Sequence, residues 1–241
     1  MDNMSASSAA GDGLDRLHAF AELARIVVGT EPPHQTLCRI AELAKQTLGG
    51  GEDVSLTVIA DGSPRSVVFT GPLAVDLDER QYQAGFGPCL DAAKTGQTIV
   101  IESRHDNGPY REFARIADGA GVRHVVSVGL PLAQRSIGGL NIYRTADEPL
   151  AETLLQHAQV FAGHAAVAVA NITSHANAVN EVIHLRKAME SRAVIEQAKG
   201  MIMARDKCSA DEAFAMLTRI SQQQNIKLRD LAHVIVDAAQ K

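Results

Sequence analysis

Four cations stand along one short stretch near the C-terminal end of the chain: Arg192, Lys199, Arg205 and Lys207. Guanidinium and ammonium groups at such spacing suit phosphate oxygens, and Arg219, Lys227 and Arg229 can join them where helix ends come together. Gln197 and Asn225 carry amides able to hydrogen-bond base edges. Gly200 falls among them in mid-helix, where glycine costs about 1 kcal/mol relative to alanine. A close approach by a backbone or a base explains that glycine, and close helix-helix packing explains it equally well. The competing reading of the cations is a solvated helix face, with Arg192 pairing Glu196 at i,i+4, and spacing alone favours it.

Cys89 is the other side chain with chemical potential. It lies at the start of a predicted helix, Leu90 to Thr95, where a thiolate would be favoured. A buried structural cysteine is the simpler reading. Gly85, Gly87 and Pro88 before it read as a tight turn rather than a phosphate cradle. The three cysteines, Cys38, Cys89 and Cys208, are scattered and form no CxxC pair, which argues against a disulfide framework or a zinc site. The histidines show no metal-ligand spacing; His157 and His164 share a helix face at i and i+7 and read as packing residues. No set of nucleophile, base and orienting group is visible, so neither a catalytic site nor a metal or other cofactor is expected.

The elements that must position these residues follow from periodicity. Ala188, Ile195, Ala198 and Ile202 recur on one helical face. Ser209 followed by Glu212 is a capping box, so a second helix begins at Ala210, and Asn225 is its left-handed stop. Ala213, Phe214, Leu217 and Ile220 mark the second apolar stripe. Leu228, Leu231, Ala232, Ile235 and Val236 mark the third. Three stripes that need one another predict a three-helix bundle with Phe214 near its centre. Upstream, one nearly continuous helix from Leu150 to about Arg205 is expected. Within it Ile172, Ala176, Val179 and Ile183 form a heptad-like seam suited to a two-stranded coiled coil.

The N-terminal part reads as α+β. Leu14–Val28 and Pro33–Leu48 are amphipathic helices, and Gly49-Gly50-Gly51 stops the second. Val54–Ala60 and Ser66–Thr70 read as a strand hairpin around an Asp61–Pro64 turn. Strands follow at Thr98–Ile101, His124–Leu132 and Gly138–Tyr143, the last two joined by a Gln134–Ser136 turn. The segment Glu102 to Arg111 reads as a charged loop.

At 241 residues, 46% apolar and 21% charged, the chain has the composition of a soluble globular protein with room for two domains. The first thirteen residues are small and polar, unlike a secretory signal, and read as a disordered tail. The apolar run Val160–Ala170 is too short to span a bilayer, so a cytoplasmic location is expected. The net charge of −5 is uneven. Residues 181–241 hold ten Lys and Arg against eight Asp and Glu, or +2, which leaves thirteen against twenty, or −7, for residues 1–180. Only the C-terminal part would tolerate a polyanion, and any binding there must come from placed contacts rather than bulk charge.

The helices AMESRAVIEQAKGMIMARD, SADEAFAMLTRISQQQN and KLRDLAHVIVDAA resemble the ANTAR family of RNA-binding transcription antiterminators. The matching positions are Arg192, Ile195, Ala198, Lys199, Gly200, Ala213, Phe214, Leu217, Leu228 and Ala232. Over roughly residues 14–170, the runs YQAGFGPCLDAAKTGQTIVI, GVRHVVSVGLPL and IGGLNIY resemble the GAF domain, a small-molecule sensor fold with a central antiparallel sheet. Together the resemblances imply an α+β GAF-type domain, a central antiparallel sheet with flanking helices, joined by a long helix to an all-α three-helix bundle. The boundaries would be a tail at 1–13, the sensor domain at 14–170, a coiled-coil linker at 171–187 and the bundle at 188–241. The implied function is transcription antitermination by a dimer that binds paired stem-loops in nascent mRNA, without enzymatic activity, under control of a ligand or redox signal at the sensor domain. The implied RNA contacts draw on Arg192, Gln197, Lys199, Gly200, Arg205, Lys207, Arg219, Asn225 and Lys227, and Cys89 is the candidate at the ligand pocket. The resemblance reverses the solvated-face reading of the cations. Two departures stand out: Lys207 occupies a place where relatives often have Gly, and no Trp stands near Pro109-Tyr110. If the bundle instead mediates protein interaction or dimerisation, no RNA partner is needed.

Overall fold

The computed structural model describes residues 18–48, 53–60, 63–106, 108–133 and 135–239. The chain divides into two compact units, Met1–Ala176 and Asn177–Lys241. The expected tail at 1–13 and the Gly49-Gly50-Gly51 stop lie outside the described residues.

The first unit opens with helical residues 18–24 (α1), then Pro33–Thr47 (α2), which carries proline at its first turn, where a missing N–H costs nothing. The expected helix to Val28 is shorter than foreseen: the last i→i−4 bond is that of Arg25, Ile26 N–H reaches only Leu23 O, and residues 26 and 27 have no regular structure. Five antiparallel strands follow: Asp53–Ala60 (β1), Ser63–Phe69 (β2), Thr98–Glu102 (β3), His124–Leu132 (β4) and Arg135–Arg144 (β5). They pair in the order β2-β1-β5-β4-β3. Two expected turns are tighter than foreseen. Ser63 and Pro64 belong to β2, and Arg135 and Ser136 belong to β5. Pro64 is tolerated because β2 is an edge strand, where a missing ladder donor goes unused.

Between β2 and β3 lie two helices, Pro72–Ala84 (α3) and Pro88–Thr95 (α4), and a third, Arg111–Gly119 (α5), precedes β4. The sequence reading missed α3 and α5 altogether. In α3 the buried positions include the polar Asp78 and Gln81 beside Ala74 and Leu77, so no clean apolar stripe marks it.

Strand alternation gives the sheet two different faces. On one, Val54, Leu56, Val126, Val128, Leu140 and Ile142 pack with Ile40 and Ala44 of α2 and with Phe161, Ala165 and Val169 of the long helix. On the other, Ser55, Asn141 and Ser127 form a buried polar row in cross-strand register. Asn141 Nδ2 donates to Ser55 Oγ at 2.9 Å and to Thr57 Oγ1 at 3.3 Å. Beside that row a second apolar cluster joins Ala74 and Leu77 of α3 with Phe113, Ala114 and Ala117 of α5. Gly129 allows β4 to meet the end of α4: a Cβ there would sit 2.4 Å from Gly96 Cα.

The long helix is one element, Glu152–Asp206 (α6), close to the expected span. Its first part supplies Phe161, Ala165, Val169 and Ile172 to the sheet-face core. Ile172 is thus buried by its own domain and has no side chain to offer a coiled-coil seam, while Val179 and Ile183 remain exposed. His164 is exposed, with its ring centroid 5.4 Å from that of Phe20.

In the second unit the end of α6 is joined by Ala210–Gln224 (α7) and Leu228–Ala239 (α8). Val194, Ala198 and Ile202 of α6 meet Ala213 and Leu217 of α7 and Leu231 and Ala232 of α8 in one core. Phe214 is not at its centre; it is 46% exposed. On a 100° wheel Phe214 stands a full step round from Ala213, and Leu217 with Ile220 completes the inner stripe without it.

Candidate nucleic-acid interface

Arg192 and Lys199 are seven residues apart on α6 and so share a face, with Glu196 between them. Arg192 is exposed. Lys199 is half-buried, and its Nζ lies 2.5 Å from Glu196 Oε2, so Glu196 pairs with Lys199 rather than with Arg192 as the sequence suggested. Gly200 is exposed, and a Cβ added there would meet nothing within 4 Å. Packing within this chain therefore does not explain the glycine. Gln197, two residues before Lys199, points about 200° round the helix and does not join the Arg192–Lys199 face.

The remaining candidates lie at helix ends. Arg205 is highly exposed and forks its guanidinium onto Asp206, with Nε and Nη2 donating at 2.7 and 2.8 Å. That pairing holds the Asp206 carboxyl below the usual carboxylate range. Arg205 also borders a cleft of about 370 Å³ between α6 and α8, lined by Met201, Ile202, Ile235 and Ala238. Lys207 follows in the left-handed region, with φ of 53°, a conformation that favours Gly. The position keeps its left-handed geometry and bears the strain of a side chain.

The capping box is formed as read. Glu212 N donates to Ser209 Oγ at 3.3 Å, and Ser209 N returns to Glu212 Oε2 at 2.8 Å. The Ser209 backbone N–H, followed by its hydroxyl, lowers the Glu212 carboxyl pKa. Asn225 closes α7 with φ of 52°, and the N–H of Ile226 reaches back to Ser221 O at 3.1 Å. Arg219, Asn225 and Lys227 are all exposed. Lys207 and Lys227 stand at opposite ends of α7, about 22 Å apart for a helix of its length, so the nine candidates do not form one cluster. Arg192 and Lys199 form the compact pair, with Gly200 turned about 100° from Lys199 on the exposed side of the helix.

In the first unit Cys89 is wholly buried, and burial, followed by the charge of Asp78, pushes its thiol up. A thiolate at this helix start is thus disfavoured, because desolvation outweighs the helix dipole. Its backbone N–H donates to Gln81 Oε1 at 2.9 Å, and the Gln81 amide lies 3.4 Å from Tyr143 Oη, which donates in turn to the Asp78 carboxyl. Gly87 makes room for this: a Cβ there would fall 2.3 Å from Gln81 Oε1. Gln81 also borders a cleft of about 170 Å³ between α3 and α5, walled by Phe86 and Tyr110 with Arg80 and Glu112 beside them. The two rings stack at 5.3 Å. Tyr110 Oη donates to Asp91 at 2.8 Å, and burial with that contact pushes its phenol up to about 12. The sequence reading missed this cleft because its walls belong to α3, the turn after it, α5 and the loop before α5. Among the described residues no helix is long and apolar enough to cross a membrane.

A GAF domain family model matches residues 30–170, and an ANTAR domain model matches residues 184–236. No curated protein matches the chain. Among solved structures, the chromophore-binding domain of an unusual bacteriophytochrome from R. palustris is similar at 8% identity and a TM-score of 0.50, covering 69% of this chain and 62% of that one. A domain of a putative two-component sensor histidine kinase from Sinorhizobium meliloti 1021 matches at 18% identity and a TM-score of 0.47, covering 59% and 94%. The phycoerythrobilin-bound GAF domain from a cyanobacterial phytochrome matches at 13% identity and a TM-score of 0.46, covering 68% and 96%. With its antiparallel sheet, flanking helices, long connecting helix and C-terminal helical bundle, the chain belongs to the GAF domain family and carries an ANTAR domain after the GAF domain.

Proposed function

We propose that this chain is a cytoplasmic, non-enzymatic regulator of transcription antitermination that binds stem-loops in mRNA leaders through the ANTAR bundle. Two copies act together, each taking one of a pair of stem-loops. The observation that carries the reading is the exposed side of α6, where Arg192 and Lys199 lie to one side of an exposed Gly200 with open space above it. Cations there meet the phosphates, and the missing Cβ lets a loop base or its sugar approach the helix backbone. Arg205, Lys207, Arg219 and Lys227 add longer-range attraction, and Gln197 and Asn225 serve only where the RNA wraps beyond that face. The exposed Phe214 ring is one apolar surface to which an unstacked base can turn.

The GAF domain supplies the signal in this reading. The cleft walled by Phe86 and Tyr110 is smaller than a drug-sized pocket, so its occupant is a small, partly aromatic or planar molecule with a polar end toward Arg80 and Glu112, the Gln81 amide being buried and already bonded. Binding there shifts the populations of α6 arrangements and so of the paired bundles. Burial of Cys89 removes the main support for a thiol-based signal.

Single-round transcription tests the reading. On a template with tandem stem-loops ahead of a terminator, added protein raises read-through, and the gain is lost when one stem-loop is deleted. Unchanged read-through with intact RNA contradicts it.

A further inference from the structure

The cleft walled by Phe86 and Tyr110 carries two side chains of opposite charge at its edge, Arg80 from α3 and Glu112 from α5. Only the cation is already paired. Arg80 Nε donates to Asp76 Oδ2 at 3.1 Å, one turn back along α3. Glu112 is exposed and has no ion pair among the described residues. The other cations of α5 do not face the cleft: Arg111 and Arg115 stand about 100° and 60° back round the helix from Glu112, whereas the lining residues Phe113 and Ile116 stand about 100° and 40° forward.

The aromatic wall leans the same way. Tyr110 Oη donates to Asp91 Oδ2 at 2.8 Å, and a phenol that donates to a carboxylate has a more electron-rich ring, whose face attracts cations. Burial first, then the contact with Asp91 and the charge of Asp106, push that phenol up, as negative surroundings do to an acid. Asp106 adds a buried Oδ2 with no hydrogen-bond partner among the described residues. Against these stands only the N-terminal end of α5, equivalent to about half a positive charge and already answered by Glu112 in its first turn.

We propose that the ligand of this cleft is a small aromatic amine bound as its cation, with its ring against Phe86 and Tyr110 and its ammonium group on the Glu112 carboxylate. The inference rests on the ligand reading made above and fixes the charge of the ligand's polar end. A cavity of about 150 Å³ accommodates one benzene ring, so the cleft of about 170 Å³ admits one ring with a short arm. The Arg80–Asp76 pair is exposed at both ends and easily exchanged, which makes a carboxylate the rival occupant.

Benzylamine, benzyl alcohol and benzoate share the ring and differ in charge at neutral pH. In ligand-observed NMR titrations of the full chain, benzylamine is expected to bind at least tenfold tighter than benzyl alcohol, with benzoate weakest. Glu112→Gln erases the preference for the amine over the alcohol, and Arg80→Gln widens it. Phe86→Ala, at a position 47% exposed, weakens benzylamine binding at least fivefold and so locates it in the cleft. Circular dichroism checks that each variant keeps its helix content. Binding that Phe86→Ala weakens but that favours benzoate or benzyl alcohol, or an amine preference that survives Glu112→Gln, overturns the charge assignment and leaves the cleft as a ligand site. Absence of any binding that responds to Phe86→Ala overturns both.

Discussion

Lys199 Nζ rests 2.5 Å from Glu196 Oε2, one helical turn away, on the same face of α6 as Arg192. The cation best placed for RNA is therefore already shared with a carboxylate before any phosphate arrives. A surface pair of this kind is worth at most about 1 kcal/mol and is screened by salt. Glu196→Gln is expected to tighten stem-loop binding about threefold near 50 mM salt, with the gain fading as salt rises. Fluorescence titration at several salt concentrations checks this, and weaker binding by the variant would mean that Glu196 orients Lys199 productively.

Gly200 offers a cleaner division between fold and function. A methyl group there meets nothing in the chain, so Gly200→Ala should raise bundle stability by about 1 kcal/mol through helix propensity. If RNA approaches the helix at this point, the same change weakens binding at least fivefold. Thermal melts and RNA titrations on one preparation separate the two effects, and a stabilised variant with undiminished affinity removes Gly200 from the interface.

The capping box gives the second unit an acid-sensitive joint. The Glu212 carboxyl pKa is lowered in the folded chain, so its contribution is fully present above the ordinary value of 4.5 and disappears as pH falls through the lowered one. Ser209→Ala is expected to cost about 1 kcal/mol at neutral pH. Glu212→Gln should also lose less stability than the wild type over the acid range, because it removes the carboxylate that the Ser209 N–H and hydroxyl hold. Denaturant melts at neutral and acid pH read both; parallel loss in Glu212→Gln and the wild type would contradict the assignment.

Cys89 is buried with its thiol pushed up, whereas Cys38 and Cys208 are half-buried. A thiol reagent at neutral pH should modify two of the three cysteines in the native chain and all three after unfolding. Peptide mapping should find Cys89 the protected one. Rapid native labelling of Cys89 would reopen a redox role for the GAF domain.

The sequence was most legible where structure is local. Ser209 and Glu212 announce a helix start by themselves, Asn225 announces a stop, and β-branched apolar runs mark β1, β3 and β4. It was least legible where partners decide. Nothing in the spacing of Ile172, Ala176, Val179 and Ile183 says that the first of them is consumed by the sheet-face core while Val182, Leu185 and Met189 stay bare. Phe214 was placed inside because of its type, yet Ala213, Leu217 and Ile220 already fill that face. Helix α3 hid because it buries Asp78 and Gln81, and with it went the Phe86–Tyr110 cleft. Among the candidate contacts, sequence supplied the residues but not their division: Arg192 and Lys199 on one side of α6, Gln197 on the other.

The most direct test of the central claim is binding of the full chain to a tandem stem-loop RNA across a salt series, beside Lys199→Ala and an RNA with scrambled loops. The account predicts loop-dependent binding that weakens with salt, about tenfold lower affinity for Lys199→Ala, and a salt slope reduced by about one for that variant. Equal affinity for intact and scrambled loops, or no binding to either, would contradict it and leave the bundle as an element that meets protein rather than RNA.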